Sequence, residues 1–298
     1  MIAVVPVRRG APPRGAETAI DAAQGRVLVV GEGAAVAADL LDTDVVELST
    51  CEAGSFAPAR LAAWLATALA SVRGIVLPGS PDGRDLLGRL AARTGRRAVA
   101  FCDEVTDEFA ATTLHEGRQR LCVPLDGPFV ASVVPRRPRG RSAALPAASA
   151  VAMSGPEVAD AVCVGLDEVA PGEAELTEAD RIVAGGLGCG VEALGALAAV
   201  ASGLGAAMGV TRPVADRGLA PHSRQIGTTG VAVSPSLYLA FGISGAVQHT
   251  AAIGSPTHVV AVNTDAACPM MRLADLAVVA DAPGTLRALA ASLEGEGR

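Results

Sequence analysis

The sequence predicts an α/β protein built from two Rossmann-like domains with mainly parallel sheets. Three observations carry that expectation. Short β-branched runs alternate with Ala- and Leu-rich segments of helical spacing through the first hundred residues. The same rhythm restarts after Pro171-Gly172-Glu173. Half of the 298 residues are apolar but only 2% are aromatic, so Val, Leu and Ala must fill the interior, a composition suited to buried parallel strands and close-packed helices. The length allows two cores, and the linker places the boundary between residues 1–172 and 173–298.

In the first domain, Ile2–Val7, Arg26–Val30, Val45–Leu48, Gly74–Leu77 and Arg97–Phe101 read as strands. Pro58–Ser71 and Arg84–Thr94 read as helices, with Leu61, Trp64, Leu65 and Leu69 on one face of the former. Strand, helix, strand at this spacing means right-handed crossovers in a parallel sheet. Phe129–Val134 and Ala161–Val164 are further strand candidates. Between them Pro135–Arg141 carries four arginines and reads as a solvated basic loop or as a contact for an acidic partner or phosphate. In the second domain, Arg181–Ala184 is expected as a strand, Val191–Met208 as a helix and Val231–Val233 as a short strand. Ser236–Phe241 is then expected as a helix, with His258–Val262 and Leu276–Val279 as closing strands.

Net charge is −7, which argues against a general nucleic-acid binder. All 24 basic residues are Arg; coding composition accounts for that better than selection for bidentate anion binding. The six cysteines, Cys51, Cys102, Cys122, Cys163, Cys189 and Cys268, have neither C-x-x-C nor zinc spacing. They are expected to be small buried residues in a reducing compartment, and no metal site is expected. The longest apolar stretch, Gly195–Val210, is broken by Gly and Ser and falls short of the ~20 residues of a membrane span. The expectation is a cytoplasmic protein without membrane insertion.

The polar clusters concentrate in the second domain. Gly185-Gly186-Leu187-Gly188-Cys189-Gly190 follows a strand and opens a helix, where backbone amides can meet a phosphate or glycines can simply pack helix on sheet. Thr211-Arg212 is either a structural ion pair or a ligand contact. In Gln225-Ile226-Gly227-Thr228-Thr229-Gly230, glycines flank two hydroxyls, as in a turn or at a bound ligand. Ser244-Gly245-Ala246-Val247-Gln248-His249 puts small residues at a helix start with a histidine one turn later. Asn263 and Asp281, with Ala282 after it, end strands, where polar residues face a ligand crevice or form ordinary turns. His115, His222 and His258 read as structural or solvent-facing.

Taken in order, GVTRPVADRGLAPHSRQIGTTG, SPSLYLAFGISGAVQH, AVNTD and ADLAVVAD resemble the FAD-binding domain of electron transfer flavoprotein α subunits, from about Arg181 to Asp281. GSPDGRDLLGRLAARTG resembles that family's amino-terminal domain more weakly. The resemblance implies FAD on the C-terminal domain, with Thr211, Arg212, Gln225, Ile226, Gly227, Thr228, Thr229, Ser244, Gly245, Ala246, Val247, Gln248, His249, Asn263, Asp281 and Ala282 as binding residues. Arg212, Thr229 and His249 are implied as redox-tuning groups: a cation over the flavin, a donor to its N5, and a donor or imidazolium at its N1/O2 edge. The family pattern is similar to G-G-R-G, where this chain has Leu187, and to Q-V-G-Q-T-G, where it has Thr228.

By that resemblance the chain is an electron carrier and not an enzyme, and the expected catalytic set is empty. The N-terminal domain would contact a β subunit, with AMP assigned to that partner. A donor dehydrogenase and a quinone-linked or other acceptor complete the scheme. Leu187, Thr228 and the divergent first domain suggest a specialised paralogue with its own dehydrogenase, instead of the general carrier of fatty acid β-oxidation. Two alternatives stay open: a flavin-less scaffold subunit, and an NAD-dependent oxidoreductase. The latter is disfavoured because no G-x-G-x-x-G with a later ribose-binding acid follows the first strand.

Overall fold

Six residues of unbroken apolar character, IAVVPV, form β1 (Ile2–Val7), and all six are buried. Burial on both faces is what a central parallel strand requires. The computed structural model describes residues 1–114, 119–136, 140–162, 164–165, 175–254 and 258–296. The chain divides into two units, Met1–Leu166 and Asp167–Arg298; the expected linker Pro171–Glu173 lies outside the described residues.

In the first unit β1 is followed by α1 (Ala16–Ala22), β2 (Arg26–Gly31), α2 (Ala34–Asp39), β3 (Glu47–Glu52), α3 (Pro58–Ala68), β4 (Gly74–Pro78), α4 (Pro81–Thr94) and β5 (Arg97–Cys102). Then come β6 (Glu104–Val105), β7 (Phe109–Leu114), β8 (Gln119–Pro124), β9 (Phe129–Val133) and β10 (Ser149–Ala150). The main sheet runs β10-β3-β2-β1-β4-β9-β5 and is parallel throughout. One apolar layer packs Ile20 and Leu41 against Val5 and Val29. The opposite layer packs Leu61, Leu65, Leu86 and Leu90 against Val4 and Leu77. Helix α4 starts at Pro81 because Ser80 caps it, its hydroxyl accepting from the Gly83 amide at 3.2 Å. Gly95, at φ 65°, ends it.

Several expectations for this unit need correction. The third strand is Glu47–Glu52, not Val45–Leu48: its parallel ladder with β2, from Arg26↔Glu47 to Gly31↔Glu52, decides its span. Strand β9 inserts between β4 and β5, after an antiparallel excursion through β6, β7 and β8 that local patterning did not reveal. Ala161, Val162 and Val164 are not strand, and Val162 and Val164 are exposed; Cys163 lies outside the described residues. Cys122 sits exposed on β8, so it is not the buried filler expected of it, unlike Cys51, Cys102, Cys189 and Cys268.

The basic loop docks on its own unit at both ends. The Arg136 amide donates to Thr18 at 2.9 Å, and the Arg141 amide to Asp42 at 3.1 Å. Ser142 bonds Asp44 through its amide and its hydroxyl at 2.8 and 2.7 Å. Residues 137–139 are outside the described set.

Asp160 ties a coil segment across the sheet by capping α3 from a distance of a hundred residues. Its carboxylate accepts from the amides of Ala59 at 3.1 Å and Arg60 at 2.7 Å, and from Ala161 at 2.9 Å. Desolvation opposes its charge, but those three amides and Arg89 outweigh it and hold the pKa below the usual carboxylate value. A lowered folded pKa means the tie is fully present above ~pH 4 and is lost as pH falls through the folded value. Asp160→Ala is therefore expected to speed proteolysis of the 151–165 segment at neutral pH. Wild type and variant should converge as pH falls through that folded value; equal cleavage at neutral pH would refute the tie.

The second unit contains β11 (Arg181–Gly185), α5 (Leu194–Gly203), β12 (Ala207–Thr211), α6 (Arg212–Asp216) and β13 (Gln225–Ile226). It continues with β14 (Leu237–Phe241), α7 (Val247–Thr250), β15 (His258–Asn263), α8 (Pro269–Leu273), β16 (Leu276–Val279) and α9 (Ala282–Glu296). Its sheet, β13-β12-β11-β14-β15-β16, is parallel. That order is the doubly wound 3-2-1-4-5-6 arrangement.

Two expected helices are corrected here. Ser236–Phe241 is not helical; Leu237–Phe241 is strand β14, paired to β11 and β15 on both sides. A short apolar run does not distinguish strand from helix by periodicity, and ladder bonds on both edges decide it. The helix expected over Val191–Met208 ends at Gly203, because Gly205 turns the chain at φ 58° and Ala207–Thr211 becomes strand β12. Val231 and Val233 form isolated bridges instead of a strand. Among the described residues no helix is long and apolar enough to cross a membrane, and no cluster of three metal-ligating side chains occurs.

Candidate functional site

Parallel strands end at one edge of a sheet, so the loops after them gather on that edge. In the second unit those loops enclose a cavity of about 640 Å³, large enough for a sizeable organic ligand. The turn after β11 supplies Gly186, Leu187 and Gly188; the end of β12 and start of α6 supply Thr211, Arg212 and Pro213. Ile226 ends β13 and Gly227–Thr229 follow it, Gly242–Ala246 follow β14, Gln248 and His249 come from α7, and Asn263 ends β15.

The floor is backbone on backbone. The Gly186 amide donates to Phe241 O at 2.9 Å, and the Gly188 amide to Gly242 O at 3.1 Å. Gly242 has φ +59°, and a Cβ there would lie 2.5 Å from the carbonyl carbon of Gly188. Only glycines allow the turns after β11 and β14 to meet this closely. The segment after Gly242 is held from outside, since the Met270 amide donates to Ser244 O at 3.1 Å. Among the described residues, the amides of Ser244, Gly245 and Ala246 have no protein acceptor. Three unspent donors in sequence on a cavity wall suit an anionic oxygen cluster.

Arg212 is exposed and pairs with Asp216 through Nε at 3.2 Å, so its terminal nitrogens can serve a ligand. Arg212 is thus in a surface ion pair and in the cavity wall at once. Thr211 is buried, and its side chain makes no cap bond to α6.

Thr229 is aimed by a relay. His222 Nδ1 lies 3.3 Å from Gln225 Oε1, and Gln225 Nε2 donates to Thr229 Oγ1 at 2.9 Å. With its oxygen already accepting, the Thr229 hydroxyl is left with its proton to donate. Gln225 thus acts behind the wall. His222 is exposed, in line with the solvent-facing or structural expectation, and starts this chain of bonds; His258 is exposed on β15, and His115 lies outside the described residues.

His249 is buried, and both its ring nitrogens are taken: Nδ1 is 3.0 Å from Ile226 O, and Nε2 is 2.8 Å from the Tyr238 hydroxyl. Burial lowers its pKa and outweighs the opposing Ile226 bond. The ring forms part of the cavity wall.

Asn263 lines the cavity, but as a strut: Nδ2 donates to Ile243 O at 3.0 Å and Oδ1 accepts from the Asp265 amide at 3.1 Å. Asp281 caps α9 by accepting from the Gly284 amide at 2.7 Å. Asp281, Ala282, Val247 and Gln225 are not among the lining residues. Pro213, Gly242 and Ile243 are, and sequence reasoning did not assign them to the site. Their signal was position alone, directly after a strand.

Comparison with known proteins places these features. Residues 175–254 match the family model of the electron transfer flavoprotein FAD-binding domain. The electron transfer flavoprotein subunit alpha of Mycobacterium leprae (strain TN) is 34% identical over 256 residues, covering 81% of this chain and 73% of that protein. Protein FixB of Rhizobium meliloti (strain 1021) is 37% identical over 232 residues, 72% of this chain and 65% of FixB. The electron transfer flavoprotein subunit alpha of Paracoccus denitrificans is 44% identical over 117 residues, 39% of this chain and 38% of its own length.

Proposed function

The chain belongs to the electron transfer flavoprotein α-subunit family, and we propose that it is the FAD-binding half of a heterodimer. In that role it would carry electrons from a flavin dehydrogenase to a quinone-linked or other acceptor. Its function is electron transfer and its cofactor is FAD.

The observation that carries the reading is the cavity at the carboxyl edge of the 3-2-1-4-5-6 sheet, with its three unspent amides and one arginine. The residues present fit FAD. Ser244, Gly245 and Ala246 would hold the diphosphate through backbone N–H groups. Arg212 and Thr229 would present a cation and a hydroxyl proton to the flavin headgroup, while Ile226, Ile243 and the His249 ring exclude water from it. When bound, FAD supplies the redox chemistry, accepting electrons from one partner and passing them to another. The chain's residues make and break no substrate bond; they bind, orient and stabilise negative charge. A β subunit covering the site is supported by exposed Leu187 in the lining and by exposed Val191 and Val247 outside it, which together present apolar surface.

The test is to co-express the chain with its candidate β subunit and titrate the purified complex with dithionite while recording spectra. Yellow protein with one FAD per complex that bleaches reversibly is expected. A colourless complex that takes up no added FAD would overturn the carrier reading and favour a flavin-less scaffold.

A further inference from the structure

Gln225 is buried on β13 and links two exposed residues, His222 and Thr229. Its backbone is fixed on two sides: it pairs with Val210 of β12, and its carbonyl accepts from the Val231 amide at 2.8 Å. Between Gln225 and Val231 the chain turns tightly, with the Gly230 amide donating to Gly227 O at 2.9 Å. That turn folds Thr229 back onto the Gln225 side chain. The carboxamide spans the gap, with Nε2 2.9 Å from Thr229 Oγ1 and Oε1 3.3 Å from His222 Nδ1.

A carboxamide in this place has two orientations, and they differ in what Thr229 can offer. With the amide oxygen toward residue 222, the amide N–H faces Thr229, whose oxygen accepts and whose proton stays free for the cavity. Turned over, the amide oxygen takes the Thr229 proton, and the amide N–H needs an acceptor at residue 222. A charged imidazole, or a neutral one with its proton on Nδ1, is a donor at that point and admits only the first orientation.

We propose that His222 is a positioning residue for the cavity: by donating from Nδ1 it holds the Gln225 carboxamide in the orientation that aims the Thr229 hydroxyl proton at the ligand. Neither His222 nor Gln225 is among the lining residues, whereas Thr229 is, so both act through that hydroxyl. An exposed side chain outside the wall thus sets the hydrogen-bonding sense of a group inside it. This rests on the cavity being the FAD site, where a donated proton favours the reduced, more negative ligand.

The experiment compares two substitutions of similar size. His222→Asn can still donate to Oε1 from its amide, whereas His222→Asp only accepts. In the first arm, ¹H–¹⁵N spectra of the full chain without FAD read the side-chain amide of Gln225, assigned by its loss in Gln225→Met. That signal should stay near its wild-type position in His222→Asn and move in His222→Asp, where the N–H changes partner from hydroxyl to carboxylate. The same position in both variants would overturn the proposal. The second arm measures the FAD midpoint potential of the complex, expected near wild type for His222→Asn and lower for His222→Asp. A carboxylate at residue 222 also acts through its field, so the pair is measured again with Thr229→Val, which has no hydroxyl to turn. The difference should then shrink to what a screened surface charge leaves; a difference that Thr229→Val does not change would refute the positioning role. A complex that binds no FAD would remove the functional reading, while the amide signal still decides the orientation.

Discussion

Gly242→Ala is expected to abolish FAD retention and to lower stability by about 2–5 kcal/mol. Two independent effects add at this residue. Its φ of +59° is a left-handed conformation that alanine adopts only with strain. The new methyl would also lie 2.5 Å from the Gly188 carbonyl carbon and 2.6 Å from the Cys189 nitrogen. Neither neighbour is the movable end of a side chain; both belong to the turn that bonds back to Gly242 O and Phe241 O. The turns after β11 and β14 must therefore separate, which opens the cavity floor and displaces Ser244, Gly245 and Ala246. Gly195→Ala is the control, since it lies in α5 with nothing within 4 Å of the added methyl. It should be neutral or stabilising by up to ~1 kcal/mol. Thermal unfolding and bound flavin per protein measure both, and a Gly242→Ala protein that keeps FAD and wild-type stability would disprove the close contact.

Arg212→Ala is expected to weaken FAD binding by about 10-fold or more and to lower the flavin potential, because a charge-assisted bond contributes ~1.5–3 kcal/mol. The fold should survive: Arg212 is exposed, and its bond to Asp216 is a surface i,i+4 pair, a class that adds little stability. The converse change is Leu187→Arg, at the position where the family pattern is similar to G-G-R-G. Leu187 lines the same cavity from the β11 turn and is partly exposed, so a guanidinium there has room and solvent. It should tighten FAD by a comparable factor and offset part of the loss in Arg212→Ala. Fluorescence titration of the flavin-stripped complex reads both. Weaker binding by Leu187→Arg would mean that the turn meets the ligand through apolar contact, and that the missing arginine is not a deficit.

The strands that were legible in the sequence are those whose composition leaves little choice. IAVVPV, HVVAVN and LAVV are β-branched runs without helical spacing, and they are β1, β15 and β16. SPSLYLAF was misread because Leu, Tyr, Ala and Phe suit either state. What makes it β14 is the place between β11 and β15, which no local pattern encodes. The helix expected to run to Met208 ended where a visible signal stood, the left-handed Gly205. Strand β9 was legible as a strand, but its place between β4 and β5, after the β6–β8 excursion, had no local signature.

The site divides in the same way. By itself the sequence determined the family, the cofactor and most of the cavity wall, because residues that touch a ligand through backbone or hydroxyl groups sit in short, ordered clusters next to strand ends. Thr211, Arg212, Ile226–Thr229, Ser244–Ala246, Gln248, His249 and Asn263 were all expected and all line the cavity. Their chemical state was decided only by the tertiary structure. What the His249 ring bonds to depends on Tyr238, eleven residues away on another element, and on the carbonyl of Ile226. That Asp281 caps a helix is likewise visible only in the fold. A residue's identity is written locally, but its protonation and its free hydrogen-bonding valences are set by whatever packs against it, and that is known only once the strands have found their order.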